Sequence, residues 1–263
     1  MAARAMWKGT ITFGLVSIPI KFYAAVEDRK IHFRMLHHRD RVPVVQEMVH
    51  PRTDEPVPRE EIRRGYVEAG EGEIVVLKDE ELEDLEPEDS RDVTVRGFLD
   101  PGRIGPQWYD RPYYLGPDGN PQKYAALAGA MERAGKVGFA RWTMRKKSYI
   151  GTLRAENGYL KMITLRFSSE VVEEAELPRP GGRDLEKQEI SMAEQLVRAL
   201  EGDFNLADFH DEYRERVMEL IQTKARGGTV RVERPKKRKK EAISLMDRLK
   251  QSVKQAREER KVA

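Results

Sequence analysis

The sequence predicts a mixed, β-rich fold whose strands fill the first two thirds of the chain and whose helices follow them. In the N-terminal part, apolar and polar residues alternate in short runs, which is typical of half-buried strands. After residues 178–182, which read Pro-Arg-Pro-Gly-Gly, apolar residues recur at helical spacing instead. The phase of the alternation changes near Gly14, which indicates a bulge or sharp bend of the kind that shapes barrel corners.

The first two strands are predicted over Trp7–Phe13 and Ile18–Tyr23. Apolar residues occupy odd positions in the first strand and even positions in the second, so the bend lies between them. Pro19 has no backbone N–H to donate, and we therefore expect its strand to be an edge strand or to carry a bulge.

The middle of the chain alternates between strand signals and turn signals. Further strands are predicted over Ile31–His37, Val42–His50, Glu73–Leu77 and Asp92–Leu99. Asp79–Leu85 is predicted to be one short acidic helix. Residues 100–121 are rich in glycine, proline and aromatic residues, which predicts an irregular segment, and a helix is predicted over Pro121–Ala134. The aromatic residues at 108–114 fit core packing, with stacking on nucleic-acid bases as the alternative.

A basic three-stranded meander is predicted next. Its strands are Lys136–Met144, Tyr149–Ala155 and Tyr159–Phe167, and an Asn-Gly pair between the last two is a strong hairpin signal. Residues 136–169 contain eight lysines and arginines against one acidic residue. Cations on a hairpin suit a row of phosphates, because each neutralised phosphate releases counterions. A solvated surface is the alternative interpretation.

The C-terminal region is predicted to contain two amphipathic helices. The first carries the apolar stripe Ile190, Ala193, Leu196, Val197 and Leu200. The second carries Tyr213, Val217, Leu220 and Ile221. We expect the second helix to begin near Asp208 and to end at Gly227-Gly228.

A strongly basic tail follows these helices. Residues 234–263 contain 12 lysines and arginines against 4 acidic residues, so the rest of the chain is moderately acidic. Such tails often bind nucleic acid or an anionic surface, although a solvated, disordered terminus is the alternative. A run of five consecutive cations is the candidate DNA-binding part of the tail: Lys236, Lys237, Arg238, Lys239 and Lys240. A narrow apolar stripe behind it is the candidate partner-binding element: Ile243, Met246, Leu249 and Val253.

The sequence contains no pattern that announces catalysis or a cofactor. The chain has no cysteine, which excludes disulfides and thiolate metal sites, and it has neither a phosphate-binding Gly-x-x-x-x-Gly-Lys loop nor a Gly-x-Ser-x-Gly elbow. His37, His38 and His50 are poor metal ligands as a set, because adjacent histidines on a strand point to opposite faces. No apolar run approaches the roughly 20 residues of a membrane span, and the expected location is the cytoplasm, at the nucleoid.

Several blocks of the sequence resemble the prokaryotic Ku family in the same order along the chain. The first is residues 6–23, Met-Trp-Lys-Gly-Thr-Ile-Thr-Phe-Gly-Leu-Val-Ser-Ile-Pro-Ile-Lys-Phe-Tyr. The later blocks are Gly65–Glu68 with Val75–Pro87, Arg111–Leu115, Gly135–Arg141 and Leu160–Phe167, and Ile243–Val253 resembles the family's short C-terminal segment. The resemblance covers about residues 4–225.

The resemblance implies a Ku-type β-barrel core with a DNA-encircling bridge, then a helical arm and a basic tail. The corresponding ranges are 1–180, 181–233 and 234–263. It implies a non-catalytic homodimeric ring that binds double-stranded DNA ends, needs no cofactor, and recruits an ATP-dependent end-joining DNA ligase of the ligase D type. Basic residues that coincide with the family pattern are Lys8, Lys21, Lys136 and Arg141.

The resemblance also ranks the candidate DNA contacts. Lys136 and Arg141, together with Arg145, Lys146 and Lys147, lie in the stretch expected to form the bridge, and these five are expected to matter more than Lys8 and Lys21. Two other functions remain open at this point. A sequence-independent architectural protein would bind anywhere along a duplex, and a metal-dependent nuclease would cleave it.

Overall fold

We describe the protein from a computed structural model of the chain. The structure describes residues 4–67, 72, 74–88, 90–179, 181–182, 184–202, 204–227, 249–250 and 252–254. The chain divides into two compact units between Glu176 and Leu177. The first unit contains every described strand, and the second contains two of the four α-helices whose bounds are described.

Seven strands of the first unit close into a barrel. The nine described strands are β1 (Trp7–Phe13), β2 (Val16–Ala24), β3 (Arg64–Val67), β4 (Ile74–Leu77), β5 (Asp92–Leu99), β6 (Tyr109–Pro117), β7 (Val137–Met144), β8 (Lys147–Glu156) and β9 (Tyr159–Leu165). The barrel order is β1-β2-β6-β9-β8-β7-β5, and β5 closes it by pairing in parallel with β1. All other neighbours in the barrel are antiparallel. The predicted β-rich fold is confirmed.

The phase change near Gly14 is a tight hairpin turn rather than a bulge. Phe13 pairs with Val16, which leaves Gly14 and Leu15 as a two-residue loop, and Gly14 has the positive φ of 54° that such a turn requires.

Pro19 lies on a strand that is paired on both sides, so the expected edge strand is wrong. Pro19 faces Thr10, whose N–H donates to the Arg91 carbonyl on the opposite side of β1. The pairing of β2 with β6 begins only at Ile20. A missing N–H is therefore tolerated at this position.

The barrel interior is filled by aromatic and aliphatic side chains. Phe22 lies at the centre, with ring centroids 5.0 Å from Trp7, 5.7 Å from Tyr113 and 6.1 Å from Trp142. A side chain at Gly151 would meet the Trp142 ring at 2.8 Å, so glycine is needed there for close packing. Each fully buried side chain of this size contributes about 1.5–3 kcal/mol.

One end of the barrel is capped by α2 (Pro121–Ala134), which has the predicted bounds. Asn120 is the N-cap of the helix, and its side chain accepts hydrogen bonds from the Gln122 and Lys123 N–H groups. Gly135, with a φ of 60°, is the C-cap. The buried Tyr124 hydroxyl donates to the Leu115 carbonyl at 2.6 Å and accepts from the Leu160 N–H at 2.7 Å. Burial raises the pKa of this phenol.

Strand β6 lies inside the segment predicted to be irregular. Its prolines concealed it from the sequence pattern. Pro112 sits where the pairing with β9 shifts register, and Pro117 is the last residue of the strand. Proline is tolerated at such positions because no ladder hydrogen bond is lost there.

Residues 25–91 form a long insertion between β2 and β5. Strands predicted over Ile31–His37 and Val42–His50 are wrong, because the described backbone makes only single bridges there, Leu36 with Pro43 and Val49 with Pro56. The insertion also holds the β3–β4 hairpin and the short acidic helix α1 (Asp79–Asp84), which was predicted. Nearly all its described residues are exposed.

The second unit is helical, as predicted. Its longer α-helices are α3 (Lys187–Ala199) and α4 (Glu212–Ala225), and the described residues 249–250 and 252–254 are also helical. The cap of α4 is Asp211, which accepts from the Arg214 N–H, whereas Asp208 ends a separate short 3-10 turn. No described helix of either unit has the length and apolar character to cross a membrane.

Candidate nucleic-acid interface

A basic pocket lies on the rim of the barrel where the insertion leaves and re-enters. It has a volume of about 360 Å³ and is lined by Trp7, Lys8, Arg91, Arg145 and Lys146. Strands β1 and β5 are parallel and β7 is antiparallel to β5, so the beginnings of β1 and β5 lie beside the end of β7. Four cations from three separated parts of the sequence therefore converge on one pocket.

The turn that presents Arg145 and Lys146 has an unfavourable backbone conformation. Met144 pairs with Lys147, and the two residues between them have φ angles of 53° and 62°. This is a hairpin turn with two left-handed residues, which Asn-Gly normally occupies. The neighbouring hairpin follows that preference, since Asn157 and Gly158 have φ angles of 53° and 75°. Two long cations in this conformation cost about 1–2 kcal/mol each.

Some of the pocket cations are paired with carboxylates. Lys146 Nζ lies 2.7 Å from Glu86 Oε2 of the insertion. Among the described residues, no carboxylate oxygen lies within 4.0 Å of the side chains of Arg91 and Arg145. The pocket therefore retains an excess of positive charge that a phosphate would neutralise.

Lys8 and Lys21 face each other across β1 and β2 and share one carboxylate. Asp118 lies 3.0 Å from Lys8 Nζ and 2.8 Å from Lys21 Nζ. Hydrogen bonds from Lys21 and Lys8 lower the pKa of Asp118, and the hydrogen bond to Asp118 raises the pKa of Lys21. Two cations share one anion, which leaves this face of the barrel positive.

The five cations expected to form the bridge do not lie together. Lys136 comes before β7, at the end of the barrel that α2 caps, and its Nζ is 2.6 Å from Asp100 Oδ1. Arg141 is an exposed residue within β7, and Arg145, Lys146 and Lys147 lie at the opposite end of that strand or at the start of β8. All five belong to the barrel wall or its turns, so their expected place on a bridge is wrong. The reason is that β7 and β8 are needed to close the barrel.

The insertion carries basic residues that the sequence analysis did not select. Residues 29–52 contain six lysines and arginines against two acidic residues: Arg29, Lys30, Arg34, Arg39, Arg41 and Arg52. Apolar residues alternate with these cations, and this alternation led to the prediction of strands. Its charge pattern was the signal that could have identified it, because an exposed, basic segment with turn residues is typical of a surface that meets an anion.

Two histidines of the insertion make hydrogen bonds within its turns. His37 Nδ1 lies 2.7 Å from Asp40 Oδ1, and His50 Nδ1 accepts from the Arg52 N–H. Within the described part of the chain, no three histidine, aspartate or glutamate side chains are grouped closely enough to hold a metal ion.

The predicted tail contacts fall largely outside the described residues. These are Lys236, Lys237, Arg238, Lys239 and Lys240, together with Ile243 and Met246 of the apolar stripe. Leu249 and Val253 are described and helical, and Val253 is 8% exposed. The partner-binding role of the stripe stays a prediction.

Comparison with known proteins gives one consistent family. Residues 12–195 match the model of the Ku70/Ku80 β-barrel domain. The chain is 36% identical to non-homologous end joining protein Ku 2 of Geotalea uraniireducens over 97% of its own length and 99% of that relative. It is 36% identical to non-homologous end joining protein Ku of Anaeromyxobacter sp., over 97% of its own length and 86% of that relative. For the Archaeoglobus fulgidus protein the identity is 34%, over 95% and 98%. These matches, together with the closed barrel and its basic rim, show that the chain belongs to the Ku family.

Proposed function

We propose that this protein is a non-catalytic, homodimeric ring that binds double-stranded DNA ends without regard to sequence and recruits a DNA ligase in non-homologous end joining. One observation carries the proposal. A long, exposed and partly basic insertion begins and ends at the rim that holds the cationic pocket. The names of the relatives, non-homologous end joining protein Ku, support the repair pathway.

The homodimer is supported by the apolar surface of the insertion. Sixteen large apolar side chains between residues 25 and 91 are exposed, among them Val45 at 90% and Phe33 at 70%. Apolar residues this concentrated mark a surface that another molecule covers. The β3–β4 hairpin has the same need, because two strands alone are marginally stable in water. We take a second copy of the chain as the partner, because most soluble oligomers consist of identical subunits.

Backbone contact is supported by the kind of residue at the rim. Lysine and arginine side chains on strands and turns bind phosphates, and phosphates carry no sequence information. The candidate contacts are Lys8, Arg91, Arg145, Lys146 and Lys147 on the barrel and the six cations of residues 29–52. Two such surfaces, one from each protomer and joined through the insertions, would enclose the duplex and restrict loading to its ends. The protein would act at the nucleoid, where these DNA ends are.

Competition between linear and closed DNA tests this function. A labelled linear duplex is bound first, and unlabelled linear or covalently closed circular DNA of the same length is added. We expect the linear competitor to displace the label and the circle to fail. Equal competition by both would contradict the ring and would favour the second candidate, an architectural protein that binds anywhere along a duplex.

Ligase recruitment rests on the apolar stripe and has its own test. Replacing Met246 and Leu249 with aspartate removes apolar side chains from the stripe and leaves the sequence of the barrel unchanged. We expect joining by the cognate ATP-dependent ligase to lose its stimulation while DNA binding is unchanged. Stimulation equal to that of the unaltered protein would exclude this role for the stripe.

A further inference from the structure

A row of tyrosines and lysines lies on the outer wall of the barrel, apart from the basic rim pocket. Tyr23 on β2 faces Tyr114 on β6, and Tyr114 faces Lys161 on β9. Tyr159, two residues before Lys161, lies on the same side of β9. We call these four residues the tyrosine face.

The tyrosine face borders an open cavity of about 680 Å³. This volume is within the range of small-ligand sites. Tyr114, in the middle of β6, and Tyr159, the first residue of β9, are 45% and 63% exposed. The Tyr23 ring lies over Gly116, where a side chain would meet it at 2.9 Å. The lack of a side chain at Gly116 keeps the cavity open beside that ring.

These tyrosines are not needed for the barrel core. Of the aromatic residues at 108–114, Tyr113 is buried and contacts Phe22, whereas Tyr114 points outward. Tyr124, which forms part of the cavity wall, is the structural tyrosine, because its hydroxyl joins β6 and β9. An apolar ring left in water without a packing role indicates a surface that another molecule covers.

The charges around the tyrosine face favour an anionic polymer. Lys161 Nζ lies 5.8 Å from the centroid of the Tyr114 ring and is paired with Glu156. Lys21, two residues before Tyr23 on the same side of β2, shares Asp118 with Lys8. With Lys8, which also lines the rim pocket, three lysines thus face two carboxylates, and the surplus charge is positive.

We infer that the tyrosine face binds unpaired bases of single-stranded DNA. Exposed aromatic rings beside lysines, on the outside of a small β-barrel, suit bases that stack and a backbone that passes the cations. A duplex keeps its bases stacked on one another, so this site takes only single strands, such as the tail of a resected or frayed end. The activity is additional to duplex-end binding and does not require the ring.

Fluorescence anisotropy tests the inference. The probe is a labelled oligo-dT of about 15 nucleotides, a length within the site sizes of single-strand binders. We expect Tyr114→Ala and Tyr159→Ala each to weaken binding of this oligonucleotide by about 5- to 150-fold, the stacking contribution of one ring. Tyr114→Phe keeps the ring, and its affinity for the oligonucleotide is expected to lie within a factor of about 2 of that of the unaltered chain. A factor of 2 in Kd corresponds to a difference of about 0.4 kcal/mol in binding free energy. Phe167→Ala removes an exposed aromatic residue beyond the other end of β9 and serves as the matched control.

Blunt duplex and tailed duplex give the second readout. The tyrosine variants are expected to bind blunt ends as the unaltered protein does and to lose the extra affinity that a single-stranded tail provides. Oligo-dT binding that is unchanged in Tyr114→Ala with Tyr159→Ala overturns the inference. Capture of a proline-rich peptide by the same tyrosines, without any oligo-dT binding, also overturns it. Failure of the linear-against-circle competition overturns the ring alone, since oligo-dT has no duplex to enclose.

Discussion

At the scale of single residues, the two tight turns of the β7–β8–β9 meander make opposite choices. Asn157-Gly158 uses the residues that the left-handed conformation favours, and Arg145-Lys146 does not. The Arg145-Lys146 turn lines the basic pocket, and the Asn157-Gly158 turn does not. The strained turn at the basic pocket supports the proposed binding role, because backbone strain is tolerated where function requires it.

Replacing Arg145 and Lys146 with Asn-Gly is expected to stabilise the fold and weaken DNA binding. The change removes left-handed strain fully at the glycine and in part at the asparagine, and we expect the free energy of unfolding to rise by about 1–2 kcal/mol, or Tm by about 2–8 °C. It also removes two phosphate contacts from each protomer, so the slope of log K against log salt should fall by about 1.8 per protomer, or about 3.6 for the proposed dimer. Thermal unfolding and salt-dependent gel shifts measure the two effects. Weaker binding together with a lower Tm would contradict the assignment of strain.

The reverse change at the other turn is the matched control. Asn157→Arg with Gly158→Lys places two cations in the same backbone conformation, away from the rim. We expect this variant to lose stability and to leave the affinity for blunt duplex unchanged. A gain in duplex affinity of the same size as the loss at Arg145-Lys146 would mean that total charge, and not the rim pocket, determines binding.

Asp118 gives a prediction for the dependence of stability on pH. Its pKa is lowered in the folded state by hydrogen bonds from Lys21 and Lys8. A lowered folded-state pKa contributes stability that is present above the ordinary value of 3.8 and is lost as the pH falls through the folded-state value. The difference in free energy of unfolding between the unaltered chain and Asp118→Asn is therefore expected to shrink below about pH 4. Urea unfolding at a series of pH values measures it, and a difference that grows in acid would be the contrary result.

At the scale of elements, local sequence patterns predicted the barrel better than the insertion. The bounds of β1, β5 and α2 are those expected, because each has a regular apolar period and clear end signals such as Asn120 and Gly135. Strand β6 was missed because its prolines are tolerated through a register shift that only the partner strand reveals.

The insertion and the site were harder to predict for related reasons. Residues 31–50 have the alternation of strands, yet among the described residues they make only single bridges, so the pattern could not distinguish a paired strand from an unpaired, exposed segment. The rim pocket joins Lys8, Arg91 and Arg145, which are far apart in sequence. Charge counts found the basic meander, but only the barrel closure shows which of its cations meet and that Lys136 lies elsewhere.

The apolar insertion yields a prediction about assembly. Replacing Val45 and Met48 with aspartate puts charge on side chains that are 90% and 67% exposed in the single chain, so the fold of the chain should tolerate it. In a homodimer the same change would bury unpaired charges, which is strongly unfavourable. We expect the unaltered protein to be a dimer and this variant a monomer by sedimentation. Leu15→Asp, on the exposed β1–β2 turn, is the control that should remain dimeric; a dimeric double variant would place the interface elsewhere.

At the scale of the whole molecule, the proposed function requires the barrel, its basic rim and the insertion to act together on DNA. Phosphate contacts of the kind available at the rim are weakened by salt, since released counterions drive them. A closed ring differs from an open basic surface because a threaded duplex cannot leave sideways. The two mechanisms therefore predict the same salt dependence for loading and different salt dependence for release.

Release after end blocking separates these mechanisms. The protein is loaded at low salt on a linear duplex biotinylated at both ends, streptavidin is added to block the ends, and the salt concentration is then raised. A basic surface loses about 10³–10⁵ in affinity between 50 and 200 mM salt when it makes six to ten phosphate contacts. A ring weakened in the same way slides but stays threaded, because parting a well-packed subunit interface is slow. We expect retention on blocked DNA and loss from open DNA at the same salt concentration. The monomeric Val45 and Met48 variant should be lost from both, and equal loss of the unaltered protein from blocked and open DNA would contradict encirclement.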